Sequence, residues 1–153
     1  MPTVAPLDLD GHCVAAVFLG GVPHFALADG TIHRLDHGHK WSQVHDGLLC
    51  ATSDAARTRL ISGGEDGKVF ATGPEGAVEM LADAGKKWIT SVASGPQGAI
   101  AFAAGKTASV RFADGKTRDF AHPRSVEGLA FAPKGMRFGV ARYNGATLHF
   151  PAT

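Results

Sequence analysis

Short apolar or alternating runs of five or six residues recur along the chain, separated by glycine, proline, asparagine and aspartate. Residues 14–19, 24–28, 31–36 and 41–45 form a first group, and 48–52, 59–63, 68–72 and 78–82 a second. Residues 89–93, 99–104, 109–113 and 117–121 form a third, while a fourth gives only 126–131, 137–142 and 146–150. No window of 11 or more residues holds a 3.6-residue apolar period, so the pattern predicts strands and no helix.

Turn chemistry divides these strands into repeats. Ala28-Asp29-Gly30, Glu65-Asp66-Gly67 and Tyr143-Asn144-Gly145 each stand before a strand. Asp-Gly and Asn-Gly between alternating residues mark hairpins, expected here as type I′ turns with positive φ at both central positions. Gly67 follows Gly30 by 37 residues and Gly145 follows Gly67 by 78, which leaves room for one repeat between, turning at Gly105-Lys106. A period of this size signals a repeat architecture. Four antiparallel strands per period without a helix describe a propeller blade. The expected fold is all-β: a propeller of about four blades of four antiparallel strands, the last incomplete. One propeller segment would hold blades at 10–45, 46–83, 84–122 and 123–153.

The repeats resemble WD40 repeats. Val126-Glu127-Gly128-Leu129-Ala130-Phe131-Ala132-Pro133-Lys134-Gly135 followed by Tyr143-Asn144-Gly145 is similar to the family's V-x-x-L-A-F-S-P-D-G and D-G-x-V text. Trp88-Ile89-Thr90-Ser91-Val92-Ala93 resembles the start of a repeat, residues 62–69 its middle, and Gly11-His12 the Gly-His before the innermost strand. The chain departs from the family at the Trp-Asp pair, where Leu35-Asp36, Thr72-Gly73, Ala113-Asp114 and Phe150-Pro151 stand. The family's His–Ser–Asp–Trp hydrogen-bond network is therefore incomplete in every unit, and packing of Val, Phe, Leu and Ala must carry more of the stability.

Three and three-quarter blades do not close a ring. The resemblance implies that an N-terminal segment, here 3–9, supplies an outer strand to the last blade. The favoured reading is the front part of a longer ring of perhaps seven blades. In a second, two copies join into an eight-bladed ring, and in a third, 3–9 completes a four-bladed monomer. Open blade edges in any case favour self-association.

Composition narrows the chemistry. With 44% hydrophobic and 19% charged residues, the chain can build a core. A net charge of +1 gives no field for nucleic acid or an anionic membrane. No apolar run approaches the roughly 20 residues needed to span a bilayer, and Met1-Pro2-Thr3-Val4 does not begin a signal peptide. A cytoplasmic protein with two buried free thiols, Cys13 and Cys50 on adjacent inner strands, is expected.

Catalytic motifs are absent: there is no G-x-S-x-G, H-E-x-x-H or Cys-x-x-Cys. Gly63-Gly64-Glu65-Asp66-Gly67 leads into a strand, so it reads as a turn and not as a phosphate cradle. His33, His37, His39 and His45 are the one cluster with metal-ligating chemistry. His37 and His39 are placed in a loop and His45 at the far end of a strand, about 20 Å away at 3.3 Å per residue, so no metal and no cofactor are expected. A propeller hydrolase or lactonase, the alternative to a scaffold, needs inward acids, and only His12, Asp54 and Glu127 lie near the ends of inner strands.

The reading is a non-catalytic, WD40-like scaffold for protein partners, not an enzyme. Loops joining strand four to the next strand one, and strand two to strand three, share one face in this fold. That face would carry Lys86, Lys87, Trp88, Lys106, Arg124, Arg142 and Tyr143, of which Trp, Tyr and Arg are the types frequent at binding hot spots. For Trp88 a place between blades is preferred over binding. Far-UV circular dichroism should show β structure with little helix; a helical content above about a fifth would defeat the repeat reading.

Overall fold

The computed structural model describes residues 6–151, which form fifteen strands in four antiparallel sheets. The first sheet is β1 (Cys13–Leu19), β2 (Val22–Leu27), β3 (Thr31–Leu35) and β4 (His39–Gln43), paired in chain order. The second is β5 (Leu48–Ser53), β6 (Leu60–Gly64), β7 (Lys68–Thr72) and β8 (Val78–Asp83), and the third is β9 (Ile89–Ser94), β10 (Ile100–Ala104), β11 (Thr107–Arg111) and β12 (Thr117–Ala121). The fourth holds three strands, β13 (Val126–Phe131), β14 (Phe138–Arg142) and β15 (Gly145–His149). One 3-10 turn, Pro96–Gly98, is the sole helical element among the described residues. Residues 6–9 form no strand, and the rest of the expected closing segment lies outside the described residues.

First strands β1, β5, β9 and β13 pack side by side in succession, which makes them the inner strands of four consecutive blades. The central strands β6 and β10 are buried throughout. Side chains alternate across each sheet, so every blade presents two flanks, one to the preceding blade and one to the next. Between the first two blades Leu19, Ala26, Ile32, Leu48 and Leu60 form one core. Ile61, Val69 and Leu81 meet Ile89, Ile100 and Phe102 between the second and third. Ala101, Ala103, Ala108 and Val110 meet Val126, Phe138 and Val140 between the third and fourth.

In the third joint the forward flank is small and the flank it meets is large, whereas in the first two branched side chains stand on both sides. Gly63 lacks a Cβ where one would lie 2.3 Å from Ile89 Cγ2 and 3.0 Å from Cys50 Sγ, so Ile89 presses on bare backbone. A Cβ on Gly95 would fall 2.5 Å from the Phe131 ring, so that ring too lies against backbone.

The turns differ from expectation in type. Gly30 and Gly67 have positive φ, but Asp29 and Asp66 do not. Each closes a three-residue loop in which the aspartate carboxylate accepts the backbone N–H two residues on, from Thr31 at 2.9 Å and from Lys68 at 3.0 Å. That carboxylate contact stabilises the ordinary right-handed conformation at Asp, and glycine alone takes the left-handed one. Two positive φ values in succession occur instead at Gly20-Gly21, where β1 turns into β2. In the first blade the turn at His37 and Gly38, both with positive φ, starts β4 at His39, two residues earlier than the pattern predicts, and leaves His45 in a loop. Similarly, the two-residue turn at Gly105-Lys106 starts β11 at Thr107 and not at 109.

Gly63→Val should destabilise the chain by about 1–3 kcal/mol in urea unfolding, because the joint has no room for the added methyls. An unchanged midpoint would mean that the second and third blades are not wedged together at Ile89.

Candidate interaction surface

Backbone hydrogen bonds fix one set of loops into a single face. Val44 and His45 donate to the Gly30 carbonyl, Ala84 donates to Gly67, and His122 and Val126 donate to Lys106 and Gly105. In three blades, then, the segment leading to the next blade is clamped to the turn between strands two and three. Two of the three clamps need glycine: a Cβ at Gly30 would lie 1.8 Å from the His45 carbonyl oxygen, and one at Gly67 2.2 Å from that of Gly85.

Beneath this face lies a network that the sequence reading missed. The His45 side chain has no exposure, and its Nδ1 lies 3.0 Å from both oxygens of Asp66. Its Nε2 lies 2.9 Å from Ser62 Oγ. An Nδ1–H tautomer donates to the carboxylate and leaves Nε2 to accept from the serine hydroxyl, which satisfies both nitrogens. Phe70 sits edge-on to the imidazole with ring centroids 5.0 Å apart. Three members of a His–Ser–Asp–aromatic bridge are thus present in the second blade, with a phenyl ring beside them and no indole N–H. The signal was available: His45 and His122 both stand a few residues before a blade's first strand. Assigning residues 41–45 to a strand concealed it.

The other histidines pair differently. His33 Nδ1 lies 2.8 Å from His39 Nε2, and Thr31 Oγ1 links His33 Nε2 at 2.9 Å to the Asp29 carboxylate at 2.5 Å. Burial and then the neighbouring His39 push the His33 pKa below its ordinary value. His122 and His149 lie 2.9 Å apart through their Nε2 atoms, and burial followed by His122 lowers His149 likewise. The His37 side chain is 98% exposed, and His45 is committed to Asp66 and Ser62. Among the described residues no group of three or more His, Cys, Asp or Glu side chains is placed to hold a metal ion.

Asp54, an acid that a channel-mouth enzyme would need, is engaged in a loop. Burial acts to raise its pKa, but hydrogen bonds from Arg59 and Thr58 outweigh that and hold the carboxyl below its usual value. The Cys50 thiol is pushed up to about 12 by burial, which removes it from thiolate chemistry. Cys13 is exposed, contrary to its expected burial, and both cysteines are free.

Of the expected binding residues, Lys86, Lys87, Lys106 and Arg124 are exposed on the loops of this face. Tyr143, in the β14–β15 turn, is 86% exposed, and Arg142 is half-buried with its guanidinium donating to Thr147 Oγ1. Trp88 is 55% exposed, which corrects the preference for a place between blades. Its neighbour Ile89 occupies that place because it begins β9, and the alternation of the strand turns the preceding side chain outward. A cleft of about 400 Å³ opens between the second and third blades, where Lys87 and Asp83 flank Phe102, Ser109 and Asp119.

This geometry defines a β-propeller, and solved structures carry the same fold. The chain is similar to the computationally designed Ika4 protein, with a TM-score of 0.79 and 20% identity over 98% of both chains. It is also similar to a chain of the mitotic checkpoint complex (TM-score 0.72, 16% identity, 88% of this chain and 46% of that one). The β-propeller domain of Myceliophteria thermophila Cps50 (Swd1) matches with a TM-score of 0.74 and 10% identity, over 89% of this chain and 52% of that one. The chain thus spans about half the length of the latter two. No family model and no curated protein matches the sequence. No helix among the described residues is long and apolar enough to cross a membrane.

Asp66→Ala should cost about 1–3 kcal/mol in urea unfolding, since it leaves a buried His45 N–H unmatched. A second expectation concerns pH. His33 binds its proton less readily folded than unfolded, so its contribution is complete above the unfolded value of 6.5 and declines as pH falls below it. The melting temperature should drop between about pH 7.5 and pH 5, and His33→Gln should flatten part of that drop. A profile identical in the variant would remove His33 from the account.

Proposed function

We propose that this chain is a non-catalytic, WD40-like scaffold that binds protein partners through the loop face, as one cytoplasmic propeller segment with blades at 10–45, 46–83, 84–122 and 123–153. The observation that carries this reading is the exposure of Trp88, on a loop whose backbone is clamped, and of Tyr143, on a turn of the same face. Aromatic side chains held on rigid loops lose little conformational freedom on binding and serve as anchors. Lys86, Lys87, Lys106 and Arg124 around them favour a partner with acidic side chains. Similarity to propellers from the mitotic checkpoint complex and Cps50 (Swd1) supports the class of function and says nothing of the partner's identity.

Affinity capture with the purified chain tests the reading. Proteins retained by the native chain should be lost with Lys87→Glu/Trp88→Ala and with Tyr143→Ala, and retained with Ala56→Glu and Lys134→Glu on loops joining strands one and two. Equal retention by all four variants would rule out the loop face.

A further inference from the structure

Two flanks of the blade series remain uncovered among the described residues, and they are opposites. On the first blade the strand registers line up Ala16, Phe25, His33 and Trp41 in one row across β1–β4. Phe18 stands on the same side of β1, two residues from Ala16, and faces Pro23. Phe18 is 61% exposed and Trp41 62% exposed, with Trp41 stacked on His33 at 6.2 Å between ring centroids. On the fourth blade the outward rows are Gly128–Ala141–Ala146 and Ala130–Gly139–Leu148. They bound a shallow, largely apolar hollow of about 350 Å³.

The joint between the third and fourth blades sets a small forward flank, Gly95, Ala101, Ala103 and Ala108, against a large receiving one that carries Phe131 and Phe138. The fourth blade ends the series on a small forward flank, and the first begins it on a large receiving flank. Stacking the first blade of a second molecule as each blade is stacked on its predecessor sets Phe18 and Phe25 against Gly128, Ala130, Gly139 and Ala141. Trp41 then lies outward, beside β15.

We propose that two copies of this chain join head to tail through these flanks and close an eight-bladed ring about a two-fold axis. Closure covers both flanks of both copies, which a chain of copies in a line does not. Three strands about 4.8 Å apart and five residues long, the width of the fourth blade, present about 240 Å² in plan, so two joints cover about 950 Å² over four flanks. That is close to the roughly 1,000 Å² that a specific interface with complementary surfaces needs. The inference is independent of what the loop face binds.

Light scattering on the eluting peak of the 153-residue chain should give twice the 15.9 kDa of one copy. Ala141→Glu and Phe18→Lys, both at exposed positions, should each give a monomer with unchanged circular dichroism. Mixing the two variants should restore the dimer mass, because one joint is then native and the other pairs Lys with Glu. A monomeric native chain would overturn the ring, as would a mass that climbs past two copies with concentration. A dimer that Ala141→Glu leaves intact while Phe18→Lys dissolves it would mean like flanks pair, and would also overturn it.

Discussion

Each sheet of this protein is apolar on both flanks, and that constraint organises the rest. A four-stranded sheet of this kind has no stable existence alone, since neither flank can be left in water. The chain answers by wedging sheets together, with bare backbone or alanine at the points where branched or aromatic side chains of the next blade press closest. Gly63 under Ile89 and Gly95 under Phe131 are the sharpest cases, because a single methyl group would already collide with the residue of the next blade.

Wedging places the inner strands side by side and turns the connecting loops outward, where polar interactions take over. The segment from one blade to the next is bound to a turn of the blade it leaves. The buried bridge from His45 to Asp66 and Ser62 also ties the segment leaving the first blade to the turn and a central strand of the second. Packing sets the spacing of the blades, and these hydrogen bonds set the shape of the face. A face built on clamped backbone can hold exposed aromatic side chains in place.

The same division governs which side chains are engaged and which are free. Several of the chain's polar groups are engaged with one another: Asp29 with Thr31, Asp54 with Thr58 and Arg59, and Ser109 with Asp119. Cys50, partly buried against the core, is held as a neutral thiol. Of the exposed large apolar side chains, Phe18, Trp41, Trp88, Tyr143 and Leu148 lie on the flanks and the loop face, and Val78 and Met80 on the outer strand β8.

Strand content, the period of the repeat and its four groups could be read in the sequence because they rest on local alternation and turn residues, which act over a few positions. The same local logic failed at His37-Gly38 and at Gly105-Lys106, where a two-residue shift of a strand start followed from which residue took a positive φ. It failed again at Trp88, since whether a tryptophan or the isoleucine beside it enters a joint depends on the phase of a strand against the neighbouring blade. The pairing of His45 with Asp66, 21 positions away, and of His122 with His149, 27 away, arises only when separate sheets meet. Sequence therefore determined which segments are strands and how often they return. The tertiary structure decided which flank each side chain faces and which flanks stay open, because those depend on contacts between sheets and not on neighbours along the chain.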